Sequence, residues 1–343
     1  MANKRVVYFD VLNTIACLCV LGMHCNGIVH TYEDSLAWRQ SLVVESLAYW
    51  AVPVFFMLSG ATLMNYRKRY STAEFLKKRF QKVFIPFVIW SVGVGIYKYS
   101  TGALVIKGKR DFIELFLNNR IENVYWFFIP LFLIYLSLPV LSKLAEDKKV
   151  LNYMAAITIA TWVVMPFACG VLKLDYSNAL KLPVAAEYVV YVIVGYLISI
   201  TPLKLPVRII IYIAGIGGFL VRFLHTLIVS AQVGWVHKLT WGYYSLPAFT
   251  LAVAIFVFIK YFTERFISDT SVVAKVFKWC SGVTFGIYLC HIYIRNILMS
   301  VFNATGYDLW WRLAGPLILF AVCLVVVKLI QKIPFIGKYV IPS

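Results

Sequence analysis

Charge is scarce in this sequence, and negative charge is scarcer still. Charged residues make up 14% of the 343 positions, with 15 Asp and Glu set against 33 Lys and Arg. With 62% hydrophobic residues and a mean hydropathy of +0.81, the chain carries more apolar surface than a soluble fold can hide, so lipid has to be part of its solvent. There is no CxxC pair and no Cys/His ligand spacing, which removes a zinc or other metal site and a disulfide framework from consideration. The seven cysteines lie mostly in apolar stretches and read as small hydrophobic fillers. There is no basic stripe either. The net charge of +18 is spread as punctuation between apolar runs, which speaks against a nucleic-acid partner and for the loops of a polytopic membrane protein. No internal repeat, low-complexity segment or separate soluble domain interrupts residues 1–343, which read as one integral-membrane unit. No cleavage site follows the first apolar run, so it reads as a retained span.

The expected architecture is all-α, with about ten transmembrane helices. Runs of roughly 20 apolar residues fall near 7–29, 42–64, 83–99, 124–142, 150–171, 185–200, 207–229, 243–262, 279–300 and 311–332. Prolines 53, 86, 130, 166, 247 and 316 lie in or beside these runs, as membrane helices allow. Placing both termini in the cytoplasm puts 21 Lys and Arg on that side and 12 on the other, the bias expected of a multi-pass inner-membrane protein. The first outer loop, "HTYEDSLAWRQ", is acidic and agrees; the loop with Lys107, Lys109 and Arg110 runs against it.

An ionisable side chain within a span costs about 2.5–3.5 kcal/mol on insertion scales, so each one is a functional candidate. In the first span, "YFDVLNTIACLCVLGMHCNG", Asn13 and His24 are eleven residues apart, close to three turns, and so share a face with Cys17 between them and Asp10 slightly offset. That polar stripe has to face the bundle interior. His24 suits proton transfer near neutrality, or it can simply hydrogen-bond a neighbouring helix. Asp10 has an equally ordinary role as a helix-start residue. Arg222, His225, His291 and Arg295 fall in the middle or outer halves of their spans, and Glu45, Glu122 and Glu187 sit where inward-running spans begin. Together they outline a proton-competent cavity opening outward, with some members snorkelling to the interface.

The loop "NYRKRYSTAEFLKKRFQKVFIP" carries seven basic residues. Most are explained by loop charge bias, but Arg79 and Lys82, three apart, can face one polyphosphate-like ligand. The stretch "VGWVHKLTWGYY" mixes aromatic residues suited to a membrane interface, or to a sugar-facing platform.

Taken in order, "FDVLNTIACLCVLGMHC", "WAVPVFFMLSGATLM", "FLKKRFQKVFIPF", "VYWFFIPLFLIYLSLPVL" and "SGVTFGIYLCHIYI" resemble the acyltransferase-3 family of integral-membrane O-acyltransferases. The likeness runs over essentially the whole chain and suits the stand-alone branch, without a hydrolase-like domain. It implies transfer of an acyl group, usually acetyl from acetyl-CoA with succinyl-CoA as the other donor, to hydroxyls of cell-envelope carbohydrates. The family's first-helix histidine matches His24, and its basic pair at the third helix matches Arg79 and Lys82. Eleven residues before the histidine the family usually has a basic residue; Asn13 stands there in this chain. The resemblance implies His24 as general base or acyl carrier, with Asp10 or a nearby carboxylate orienting it. It implies donor contacts at Arg79 and Lys82, with Asn13 expected beside the donor at the position where the family has a basic residue. The expected acceptor contacts are the outward polar residues Glu45, Arg222, His225 and His291, with Tyr125 and Trp126. The rival reading is a transporter or flippase, which buried histidines and span prolines serve equally well.

Overall fold

The computed structural model describes residues 5–181, 187–334 and 336–342. Among these residues every regular element is helical. The first group comprises α1 (Val7–Cys25), α2 (Leu36–Ala48), α3 (Ala51–Leu63), α4 (Thr72–Arg79), α5 (Ile85–Ser100) and α6 (Lys109–Leu117). Then come α7 (Phe128–Leu144), α8 (Lys148–Thr158), α9 (Met165–Val171), α10 (Val189–Ile200) and α11 (Leu205–Val233). The last are α12 (Leu246–Phe266), α13 (Val272–Ser281), α14 (Thr284–Val301), α15 (Leu309–Lys332) and the short α16 (Ile336–Val340).

Helix is the only open element that satisfies its own backbone in hydrocarbon, so apolar runs of this length have one outcome. The starts are set by local chemistry. Ser35, Ser71, Ser245 and Ser271 each accept a first-turn N–H, and Asp147 accepts two. Two wide π-helical turns, Phe80–Phe84 and Ile159–Val164, each lie just ahead of a proline, Pro86 and Pro166. A proline withholds one helical N–H, and the looser turn re-registers the backbone around that gap.

Eight helical segments among the described residues are long and apolar enough to cross a membrane. The pair α13–α14, bent by 62°, makes a ninth. The chain is therefore a polytopic membrane protein. The run expected over 185–200 differs from the other nine: residues 185 and 186 lie outside the described residues, and α10 has 12 residues. At 1.5 Å per residue it is about 18 Å long, short of a ~30 Å hydrocarbon core. The reason is its surroundings. Val190, Tyr191, Val192 and Ile193 are fully buried, so α10 is enclosed by protein and need not meet both interfaces. Lys260 donates to the carbonyl of Ile198 at 2.7 Å and closes its last turn.

α10 lies unusually close to α3. A Cβ at Gly60 would overlap the carbonyl of Val192, and one at Gly195 would overlap the backbone of Met57, so each helix offers a glycine to the other. Gly215 and Gly218 of α11 do the same toward α12 at Ala254, Thr250 and Pro247. α1 is the hub, packing against α2, α3, α12, α13, α14 and α15. Buried Cys17, Cys25, Cys290 and Cys323 fill part of its packing against α14 and α15 as free thiols.

Gly195→Ala should force α3 and α10 apart and cost about 1–3 kcal/mol, the usual penalty for overpacking. Gly217→Ala meets nothing within 4 Å and should change stability by no more than ~1 kcal/mol, in the stabilising direction. Thermal unfolding of the two purified variants in nanodiscs measures the contrast; equal midpoints would remove the close crossing as a source of stability.

Candidate active site

One cavity of about 1230 Å³ runs along α1 from its first turn to beyond its last. Asp10, Asn13, Cys17 and His24 all line it, so the polar stripe does face inward on a single side. The 19 residues of α1 give the cavity a length on the order of 28 Å. Its two ends differ in chemistry. Around the start of α1 the charged lining side chains are Arg5, Lys68, Arg69 and Arg79, together with the carboxylates of Asp10 and Glu264. Around the far end they are His30, Glu45, Tyr49, Trp126, Trp241 and Tyr243.

His24 stands near the aromatic end with a second imidazole beside it. The rings of His24 and His291 have centroids 4.9 Å apart, and both line the cavity. His291 is fully buried, and its Nδ1 lies 2.7 Å from the carbonyl of Tyr288. A carbonyl only accepts, so Nδ1 carries the proton and Nε2 keeps its lone pair. That Nε2 has no partner. The main chain at His24 is fixed by Arg295, which donates to its carbonyl at 2.9 Å and ties α1 to α14.

Asp10 does not orient His24. It lies 14 residues earlier, about 21 Å along the helix, and its carboxylate is held by Arg5 through hydrogen bonds of 2.7 and 2.6 Å. Asn13 is also engaged: its amide nitrogen donates to the Ser281 carbonyl (3.2 Å) and to the hydroxyls of Ser281 and Thr284 (both 2.9 Å). These acceptors flank the break between α13 and α14, so Asn13 pins α1 to the bend.

The two basic residues at the third span part company. Arg79 lines the cavity with its guanidinium over Phe75 and Tyr135, each at 5.7 Å, and its Nε has no partner. Lys82 is exposed and is not a lining residue. The π-helical turn beginning at Phe80 breaks the three-residue register that a plain α-helix would give them. Net positive charge at the basic mouth comes instead from Lys68 and Arg69, which in sequence look like any loop cations, while the charge of Arg5 is balanced by Asp10.

The remaining candidates divide in the same way. Glu45, Trp126 and His291 line the cavity, whereas Tyr125 is buried and spends its hydroxyl on the Leu289 carbonyl at 2.7 Å. Arg222 sits one layer back, its guanidinium carbon 3.4 Å from the Tyr49 ring centroid and Nη1 donating to the Thr240 carbonyl at 2.7 Å. His225 pairs with His237, ring centroids 5.1 Å apart, away from the cavity. Glu122 accepts from Tyr293 at 2.6 Å and Lys98 at 2.9 Å, a clasp between loop and helix. Trp241 and Tyr243 belong to the aromatic stretch read as an interface or a sugar-facing platform, whereas Tyr49 and His30 went unselected in sequence; Tyr49, which caps the end of α2, is visible in hindsight one turn after Glu45. His30 lies outside the spans, and burial, with Lys238 and Arg222 adding to it, pushes it below the ordinary imidazole range.

A family model described as an acyltransferase domain, that of the acyltransferase-3 family, matches residues 6–330. No curated protein and no solved structure matches the chain.

Replacing Asn13 by Leu removes three hydrogen bonds at the α13–α14 break and should cost about 1–3 kcal/mol of stability. Asn13→Asp should cost more, because it sets a carboxylate against the Ser281 carbonyl. Thermal midpoints of both variants test this; a neutral Asn13→Leu would mean the break is held elsewhere.

Proposed function

Because the chain belongs to the acyltransferase-3 family, we propose that it carries an acyl group, in the first instance acetyl, from an acyl-CoA at the basic mouth to a hydroxyl of an envelope carbohydrate at the aromatic mouth. The observation that carries this reading is the single cavity, which has cations at one end, a histidine pair inside and an acid among aromatic rings at the other.

Acyl-CoA is a polyphosphate on a long, thin arm. Its phosphates match Arg5, Lys68, Arg69 and Arg79, since guanidinium and ammonium groups are the strong donors to phosphate oxygens. The arm then has a protein-lined path along α1 toward His24. Asn13 flanks that path as a fixed wall rather than as a cation. Lys82, exposed nearby, adds to the field at the entrance.

At the histidines the acceptor hydroxyl attacks the thioester carbonyl. His24 takes the hydroxyl proton as the C–O bond forms, the C–S bond breaks, and the proton goes to the departing CoA sulfur. In the alternative order the imidazole of His24 attacks the thioester carbonyl, a C–N bond forms and the C–S bond breaks to release the CoA thiolate; the hydroxyl oxygen then displaces the imidazole from the acyl carbon, and its proton ends on the CoA sulfur. In either order His291, with Nε2 free, is placed to accept a hydrogen bond from the acceptor or to share the proton load. The basic mouth and both termini are read as cytoplasmic and the aromatic mouth as facing outward from the inner (plasma) membrane, following the basic bias of the loops. A through-running cavity also suits a transporter, and donor-dependent labelling separates the two.

Membrane vesicles supplied with acetyl-labelled acetyl-CoA on the basic face should pass label to envelope glycans. His24→Ala should lower the rate by about 10²–10⁴-fold, the range for losing a general base. Arg79→Gln should raise the KM for acetyl-CoA with a smaller effect on kcat. Equal transfer by wild type and His24→Ala would overturn the role of His24; glycan movement without any acyl donor would favour transport.

A further inference from the structure

Glu45 has no part in the transfer chemistry above, yet it is the side chain at the aromatic mouth least expected to stay unpaired. It is 3% exposed, it lines the cavity, and its Oε2 has no hydrogen-bond partner. A buried carboxyl oxygen without a donor forfeits its hydration and gains nothing in return, unless a ligand supplies the donor.

No ion pair among the described residues neutralises it. Arg222 is a charged neighbour of Glu45, but its guanidinium carbon lies 3.4 Å from the Tyr49 ring centroid and Nη1 donates to the Thr240 carbonyl, while Nε and Nη2 have no partner. The Tyr49 hydroxyl donates to the Trp241 carbonyl. Tyr49, Tyr243 and Trp126 form a stack, with centroids 4.3 and 5.3 Å apart and interplanar angles of 9° and 17°. Glu45 lines the cavity together with these rings, and its buried Oε2 lacks a donor.

Depth places it beside the reacting group. Asn26, just past α1, donates to the Ser41 carbonyl of α2 at 2.7 Å, which sets those two residues level. Glu45 is four residues further along α2 and His24 two residues back along α1, so they lie about 6 and 3 Å below that level. The two residues thus differ by about 3 Å in depth, and both line the cavity.

We propose that Glu45 is the acceptor-recognition residue, accepting a hydrogen bond from a hydroxyl next to the one that reacts, and that the acceptor ring is an uncharged pyranose. An anionic ring would meet the carboxylate. An ammonium-bearing ring would meet the field of Arg222 and of Lys238, which borders neutral His30. A neutral polyol supplies donors to Glu45 and apolar C–H edges to the aromatic wall. The assignment rests on the acyl-transfer reading only for which hydroxyl reacts.

The test titrates the wild-type protein in nanodiscs with methyl β-D-glucopyranoside and follows tryptophan fluorescence, since Trp126 and Trp241 line the mouth. Saturable binding is expected, at least about tenfold weaker in Glu45→Gln, as for loss of one charged hydrogen bond. Glu45→Asp, which keeps the carboxylate, should fall between and serves as the second variant where Glu45→Gln fails to fold. Absence of saturable binding to wild type, equal binding to Glu45→Gln, or tighter binding of methyl 2-amino-2-deoxy-β-D-glucopyranoside as its ammonium form would each overturn the proposal. Label transfer from acetyl-CoA is read separately. Sugar binding that depends on Glu45, without transfer from either acetyl-CoA or succinyl-CoA, would sink the proposed acyl transfer and leave this assignment standing.

Discussion

A helix that carries an acid, an amide, a thiol and an imidazole along one stripe cannot present that stripe to hydrocarbon. The placement of α1 follows from this, and much of the bundle follows from the placement of α1. Six helices surround it, and they do so without filling the space against Asp10, Asn13, Cys17 and His24. The cavity is what remains when polar groups must be enclosed and apolar side chains have nothing to gain by packing onto them. Its position is therefore set by the helix that needs it most.

Enclosure has its own geometric demand. Lipid gives no hydrophobic drive for one helix to prefer another over acyl chains, so close approach has to come from small residues. Gly60 and Gly195 let α3 and α10 meet backbone to backbone, and Gly215 and Gly218 seat α11 on α12. The buried α10 then stands in the wall behind α3, whose residues Phe55, Leu58, Ser59 and Thr62 face the cavity. The bent pair α13–α14 contributes from the other side: its break lets Ser281 and Thr284 hold Asn13, while α14 beyond the bend brings His291 to His24. A straight span would deliver one of these contacts and miss the other.

Periodicity made part of this legible in advance. The eleven-residue spacing of Asn13 and His24 reads directly as a shared face, because one helix repeat governs both, and nine of ten apolar runs appear as span-length helices. What escaped the sequence depends on contacts between distant segments. Hydropathy reports how apolar a run is and not whether lipid or protein surrounds it, so α10 looks like a span. Arg79 and Lys82 look paired because nothing in "RFQK" announces a π-helical turn; only Pro86 hints at one. Arg5, Lys68 and Arg69 are hidden by the same rule that explains them, since charge bias accounts for every loop cation alike.

Buried polar residues of the spans sort by what they have left over. Lys260 gives its ammonium to the end of α10, and Arg312 makes three hydrogen bonds through its terminal nitrogens, to Gly306, Tyr307 and Gln40, with Nε left unpaired, so both hold structure together. Tyr125 spends its hydroxyl on α14. By contrast Glu45 Oε2, His291 Nε2 and Arg79 Nε are buried without partners, and all three residues line one cavity. An unpaired polar atom in a dry interior costs free energy that no fold requires. Other unpaired atoms, such as Arg222 Nε and Nη2, Arg312 Nε and Trp311 Nε1, belong to residues away from the cavity. What sets these three apart is that a cation at one end of the cavity and a base and an acid toward the other all line the same space.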